Sequence, residues 1–130
     1  MKIEGRILLF DVVHADGSLM PSDCKIDIPE KVPIIKDFNT RDPNSCIGSA
    51  SVSVDDRGLV FTGDIPDDFD TDGYPGCGGY YTSVESTSGF KFKDERYPNA
   101  RTITSMSLKC IGLTKRIFCG YKYKKEIKNE

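Results

Sequence analysis

The stretch from Ile47 to Ile65, I-G-S-A-S-V-S-V-D-D-R-G-L-V-F-T-G-D-I, decides the fold class. Ala50, Val52 and Val54 alternate with Ser49, Ser51 and Ser53. That is the period of two of a half-buried strand. Asp55-Asp56-Arg57-Gly58 reads as a tight turn, and L-V-F-T-G-D-I returns from it. The two arms make the clearest hairpin in the chain.

Working outward from this hairpin, strand signals continue in both directions. Towards the N-terminus, Lys2 to Val13 reads as one long apolar strand, closed by the Asp-Gly turn of A-D-G-S. Cys24, Ile26 and Ile28 alternate with Lys25 and Asp27, and V-P-I-I-K-D-F follows. Towards the C-terminus, residues 64–79 break the pattern with five Asp, two Pro and four Gly, predicting a long exposed acidic loop. Tyr80 to Lys93, Arg101 to Leu113 and Arg116 to Lys125 are strand-like, and 125–130 forms a charged tail. No window of a dozen residues carries a 3.6 period. Residues 29–35 and 102–108 are the only windows where a helical turn would fit. The expectation is a mainly β, single-domain barrel or sandwich over residues 1–124, with about seven or eight strands.

Composition narrows the function classes. At 130 residues the chain is one domain's length, and 38% apolar with 29% charged residues is a globular balance. A net charge of −2 lacks the basic excess of a dedicated nucleic-acid binder. No apolar run approaches the roughly 20 residues of a membrane-spanning helix. The N-terminal stretch reads as a strand, not a signal peptide, because Glu4 interrupts it and no small-residue cleavage site follows. The five cysteines (Cys24, Cys46, Cys77, Cys110, Cys119) include no C-x-x-C pair. They read as reduced thiols.

Four features carry chemistry, each beside a plainer reading. Asp68, Asp70 and Asp72, before Gly73, have the D-x-D-x-D-G spacing of a calcium loop, but position twelve would be Gly79, not a bidentate Glu. A solvated acidic loop is the expectation, with no metal and no cofactor. Cys77, in G-C-G-G, has no basic neighbour to draw off its proton. Ser83, Ser86, Thr87 and Ser88 read as a polar strand face; as nucleophiles they would need a base, and His14 is the only imidazole. Tyr121-Lys122-Tyr123-Lys124-Lys125 mixes aromatic rings with cations, a nucleic-acid pattern, but edge-strand lysines read the same way.

The order of these pieces resembles the capsid-maturation (prohead) proteases of tailed phages, whose barrel is of the herpesvirus-assemblin type. The resemblance runs over about residues 3 to 116. G-R-I-L-L-F-D-V-V-H-A-D-G-S-L-M-P looks like the family's first strand and turn. The hairpin at 47–65 resembles its I-G strand and D-D-x-G-L return. V-E-S-T-S-G-F is similar to its nucleophile strand, and I-T-S-M-S-L-K-C-I-G-L to its later I-T-x-x-x-L-x-E segment.

The resemblance implies a catalytic histidine where Asn39 stands, a serine where Thr87 stands, and an acid where Cys110 stands. A following serine position falls on Gly112. An asparagine amide has no usable pKa near neutrality and cannot act as a general base. All three departures together imply a domain that kept the barrel and lost the chemistry. The expectation is a non-enzymatic virion protein, an auxiliary (decoration or cement) protein bound to the major capsid protein or other virion proteins. Self-association is compatible with it, and no membrane or nucleic-acid partner is expected. It would assemble in the host cytoplasm. The alternative is an active serine endopeptidase that processes capsid and scaffold precursors, with Ser86 or Ser88 as nucleophile and His14 as base.

Overall fold

A computed structural model of the chain describes residues 1–14, 17–86, 101–117 and 121–125, with only the backbone of 85 and 86. The strands are β1 (Lys2–Leu9), β2 (Ser18–Leu19), β3 (Lys25–Asp27), β4 (Val32–Lys36), β5 (Cys46–Val54), β6 (Gly58–Asp64), β7 (Gly76–Ser86), β8 (Arg101–Thr114) and β9 (Tyr123–Lys125). A 3₁₀ turn at Pro43–Ser45 is the only helical element among the described residues. Asp42 caps it by accepting the Asn44 N–H at 2.9 Å. The mainly β reading holds.

The strands form one curled sheet, ordered β2-β8-β4-β5-β6-β1-β9, with β3 and β7 also paired to β8. Its spine is β8. Along one side β2, β3 and β4 lie parallel to it in succession, at Ser18↔Arg101, Ile26↔Met106 and Ile34↔Ile111. Along the other, β7 runs antiparallel from Gly76↔Thr114 to Ser86↔Thr102. The far end of the sheet curls back onto β7. There β9 pairs with β1, Gly76 bridges Lys122, and the Cys77 N–H donates to the Tyr121 carbonyl at 3.2 Å. The curl encloses a core of Ile3, Ile7, Ile34, Leu59, Phe61, Leu108, Ile111 and Leu113. Burying each large aliphatic chain contributes roughly 1.5–3 kcal/mol.

Three local expectations need correction. The first strand stops at Leu9, because Asp11 takes a left-handed φ of 61° and Phe10 turns to donate its N–H to the Arg57 carbonyl. Residues 32–35 and 102–108 are strand, held by the parallel β4–β8 ladder and the β7–β8 ladder, so neither window is helical. The acidic loop spans 65–75 only, since Gly76 to Gly79 open β7. That loop is also packed down: Ile65 and Thr71 are buried, and Phe69 and Tyr74 lie against the core. The strand that the sequence does not show is β2, whose two residues are too few to carry a period.

The 47–65 hairpin forms as its sequence predicts, and Asp55 is its lock. Its carboxylate accepts both Arg6 guanidinium nitrogens, at 3.0 and 2.6 Å, and the N–H groups of Arg57 and Gly58. The Arg6 hydrogen bonds, chiefly, hold its pKa well below the usual carboxylate range. A depressed carboxylate pKa gives stability that is present above the unfolded value near 4 and lost as pH falls through the folded value. Asp55→Asn should therefore lower the urea midpoint at neutral pH. The gap between wild type and variant should narrow as pH falls below about 4. A gap independent of pH would exclude the ion pair as its cause.

Candidate functional site

The first question is whether the fold assembles the positions that carry catalysis in the resemblance. Asn39 closes the turn after β4, where its N–H donates to the Lys36 carbonyl at 3.1 Å, level with Leu113. Asp37 and Phe38 take left-handed φ values of 54° and 56° in that turn, a strain of about 1–2 kcal/mol each. The Phe38 ring offsets it by lying over Gly112, where a Cβ would overlap the ring, and against Gly78. Aromatic cover of a strand glycine stabilises a sheet in this way. The serine position at Gly112 is thus a seat for Phe38.

Cys110 lies two residues before Gly112, buried and outside the main core. Burial raises its pKa first, and the nearby Cys46 thiol adds to the rise. It pairs with Tyr80 on β7. Thr87 and Ser88 lie outside the described residues. Ser86, beside them, pairs with Thr102. Because β7 alternates regularly, the six residue steps from Tyr80 to Ser86 span about 20 Å. The asparagine and cysteine positions sit at one end of β8, and the strand leading to the serine position reaches the other.

His14 occupies a different place. Its Nε2 lies 3.1 Å from the Tyr121 hydroxyl, which accepts the Leu9 N–H at 2.9 Å. The pair ties the chain after β1 to the segment that leads into β9. In the sheet, β8 and β2 stand between Ser86 and Val13, the neighbour of His14. Three ladder spacings amount to about 14 Å. His14 and Ser86 are therefore not adjacent in the ladder.

The remaining candidates are structural in their surroundings. The Cys77 thiol is buried and donates to the Arg6 carbonyl at 3.4 Å. Burial pushes its pKa up to about 12, so it holds no thiolate at neutral pH. Cys24 is raised by burial as well. Cys46 is the exposed thiol among the described cysteines. A thiol reagent at about pH 8 should modify Cys46 in the native protein and reach Cys24, Cys77 and Cys110 only on unfolding. Peptide mapping checks this, and native labelling of Cys77 would contradict its burial.

Asp70 turns back to accept the Gly73 N–H at 3.0 Å, and no metal-holding group of three acidic, histidine or cysteine side chains occurs among the described residues. Tyr74 is fixed from three sides. Its carbonyl accepts the Tyr123 hydroxyl at 2.5 Å, and the Lys36 and Lys115 ammonium groups lie 5.9 and 5.8 Å from its ring centroid. Burial, first, pushes the Tyr123 pKa up to about 12. Lys124 pairs with Glu4 at 3.3 Å, and of the aromatic and basic run at 121–125 the last three residues form the strand bound to β1.

The outer face around β8 is accessible. The β7–β8 register shifts place the extra residues, Lys109 and Thr104, on β8. In β7, Cys77 and Tyr81 face the core, which leaves Gly78, Tyr80, Thr82 and Val84 facing outward. Tyr80 is 52% and Val84 62% exposed. Beside them Ser105, Ser107, Lys25 and Asp27 line a shallow depression, in which the Ser107 hydroxyl donates to Asp27 at 3.2 Å. This surface can bind by strand pairing and by apolar contact. Comparisons with protein-family models, with curated proteins and with solved structures returned no match.

Proposed function

We propose that the chain is a non-enzymatic virion protein of a tailed phage, an auxiliary decoration or cement protein that binds the capsid. The observation that carries this reading is the distance along β8. Asn39 and Cys110 lie at one end of it, and Ser86 pairs at the other, about 20 Å away. A serine hydrolase needs nucleophile, base and orienting group within hydrogen-bond reach. The sequence resemblance supplies the phage context, with the major capsid protein as the partner. The outer face of β7 and β8 offers Tyr80, Thr82 and Val84 for contact, and on a symmetric shell many weak contacts add through avidity.

The test is the copy number of this chain in purified virions, by quantitative mass spectrometry relative to the major capsid protein. One copy per capsid subunit, or per few subunits, is the expected result. Presence in precursor shells with absence from mature particles would overturn the reading in favour of a maturation protease. His14→Ala would then ask whether the only imidazole takes part in cleavage.

A further inference from the structure

We infer that the outer face shared by β3, β8 and β7 is a binding site for a neutral sugar residue of a glycan. Ile26 on β3 and Met106 on β8 turn to the core, so the side chains on either side of them turn out. The ladders then set six outward side chains in two rows: Lys25, Ser105 and Val84, and beside them Asp27, Ser107 and Thr82. The hydrogen bond from Ser107 to Asp27 joins β8 to β3 across this face. With about 4.8 Å between strands and about 7 Å between alternate residues, the rows frame a patch of about 10 Å by 7 Å. That is the footprint of a small saccharide. The same six side chains line an open depression of about 410 Å³.

The charges select the class of ligand. Lys25 carries donors only, and the Asp27 carboxylate acceptors only. They stand two residues apart on β3 and cancel each other. Among the described residues neither forms an ion pair. A phosphate or carboxylate drawn to Lys25 meets Asp27, and an ammonium drawn to Asp27 meets Lys25. Two adjacent sugar hydroxyls satisfy both, because one donates to Asp27 while its neighbour accepts from Lys25. Ser107 already donates its proton to Asp27, which leaves its lone pairs for a third hydroxyl. Ser105 and Thr82 can each donate and accept. A zwitterion matches the two charges but leaves these hydroxyls unused, and exposed ion pairs contribute little in water. Val84 gives the ring C–H groups an apolar corner, and Tyr80, the next outward residue after Thr82 on β7, extends it with an exposed aromatic ring. The site takes nothing from the capsid reading and goes beyond it.

Amide NMR titrations of the purified chain test it. The probes are glucose, galactose, mannose and N-acetylglucosamine, with glycine and inorganic phosphate as controls. At least one sugar should shift the amides of 25–27, 82–84 and 105–107, with a dissociation constant in roughly the millimolar range for so open a site. Glycine and phosphate should leave those amides unmoved at the same concentrations. Asp27→Ala and Lys25→Ala should each weaken the sugar by about tenfold. Both residues are exposed, so amides away from the face should keep their positions in the variants. No shift on this face from any of these sugars at roughly 100 mM, binding of glycine or phosphate there as tight as that of a sugar, or a sugar affinity indifferent to both substitutions would overturn the proposal. The copy number in virions bears on the capsid reading alone, so either reading can fail and leave the other standing.

Discussion

Gly58→Val should lower the melting temperature by about 10 °C. Gly58 has a φ of +155°, and a Cβ there would overlap the Leu8 carbonyl and crowd Leu9 Cα. Both are backbone groups of β1, so no rotamer change relieves the contact. Backbone strain of about 1–2 kcal/mol adds to overpacking of about 1–3 kcal/mol. The sum, near 3 kcal/mol, is a large part of a typical domain's stability. Gly17→Ala is the control. Gly17 also has a positive φ, +84°, but an added Cβ meets nothing within 4 Å. It should show the strain alone, about 1–2 kcal/mol. Equal losses from the two substitutions would mean that β1 and β6 do not approach as closely as described.

Leu108→Ala should cost about 3 kcal/mol, read as a fall in the urea midpoint with an unchanged slope. Leu108 is fully buried, and it lies with Ile7 over Gly79, where a Cβ on that glycine would touch both. These three residues, on β8, β1 and β7, close the curled sheet on itself. Truncation loses transfer energy and leaves a cavity that backbone on both sides prevents from collapsing. Ile7→Ala should act similarly. The double substitution should lose less than the sum, because both side chains line the same space. Strict additivity would place them in separate contacts.

How much of this is legible in the sequence differs by feature. The 47–65 hairpin is, because nine-residue β5 and seven-residue β6 alternate cleanly and Asp55 to Gly58 carry turn chemistry. The β8 strand is as well, though Cys110 and Gly112 read as ordinary strand positions. The cover that the turn at Asp37 and Phe38 gives Gly112 is not legible. Two consecutive left-handed residues at Asp37-Phe38 lack the Asn-Gly signature that such turns usually show. The acidic loop reads as wholly exposed because its carboxylates dominate the composition. Ile65, Phe69, Thr71 and Tyr74, which tether it, are scattered singly among them. For the candidate site, the sequence offers His14 and Ser86 as possible partners. Only the ladder order shows β2 and β8 between their strands. The tyrosine that holds His14 is 107 residues away and carries no local signal.

The place of β8 in the chain has a consequence for how the protein comes into being. Ser18 finds its ladder partner at Arg101, and Ile34 at Ile111. During synthesis the first third of the chain therefore emerges long before the strand that it lies against. Contacts this distant in sequence close slowly, because the loop entropy is lost before any pairing repays it. The nascent chain carries β2, β3 and β4 unpaired on that side until β8 leaves the ribosome. A ribosome-stalled chain ending before residue 101 should remain protease-sensitive across β2 and β3 (18–27), whose ladder partner is β8, and one with Thr114 clear of the exit tunnel should not.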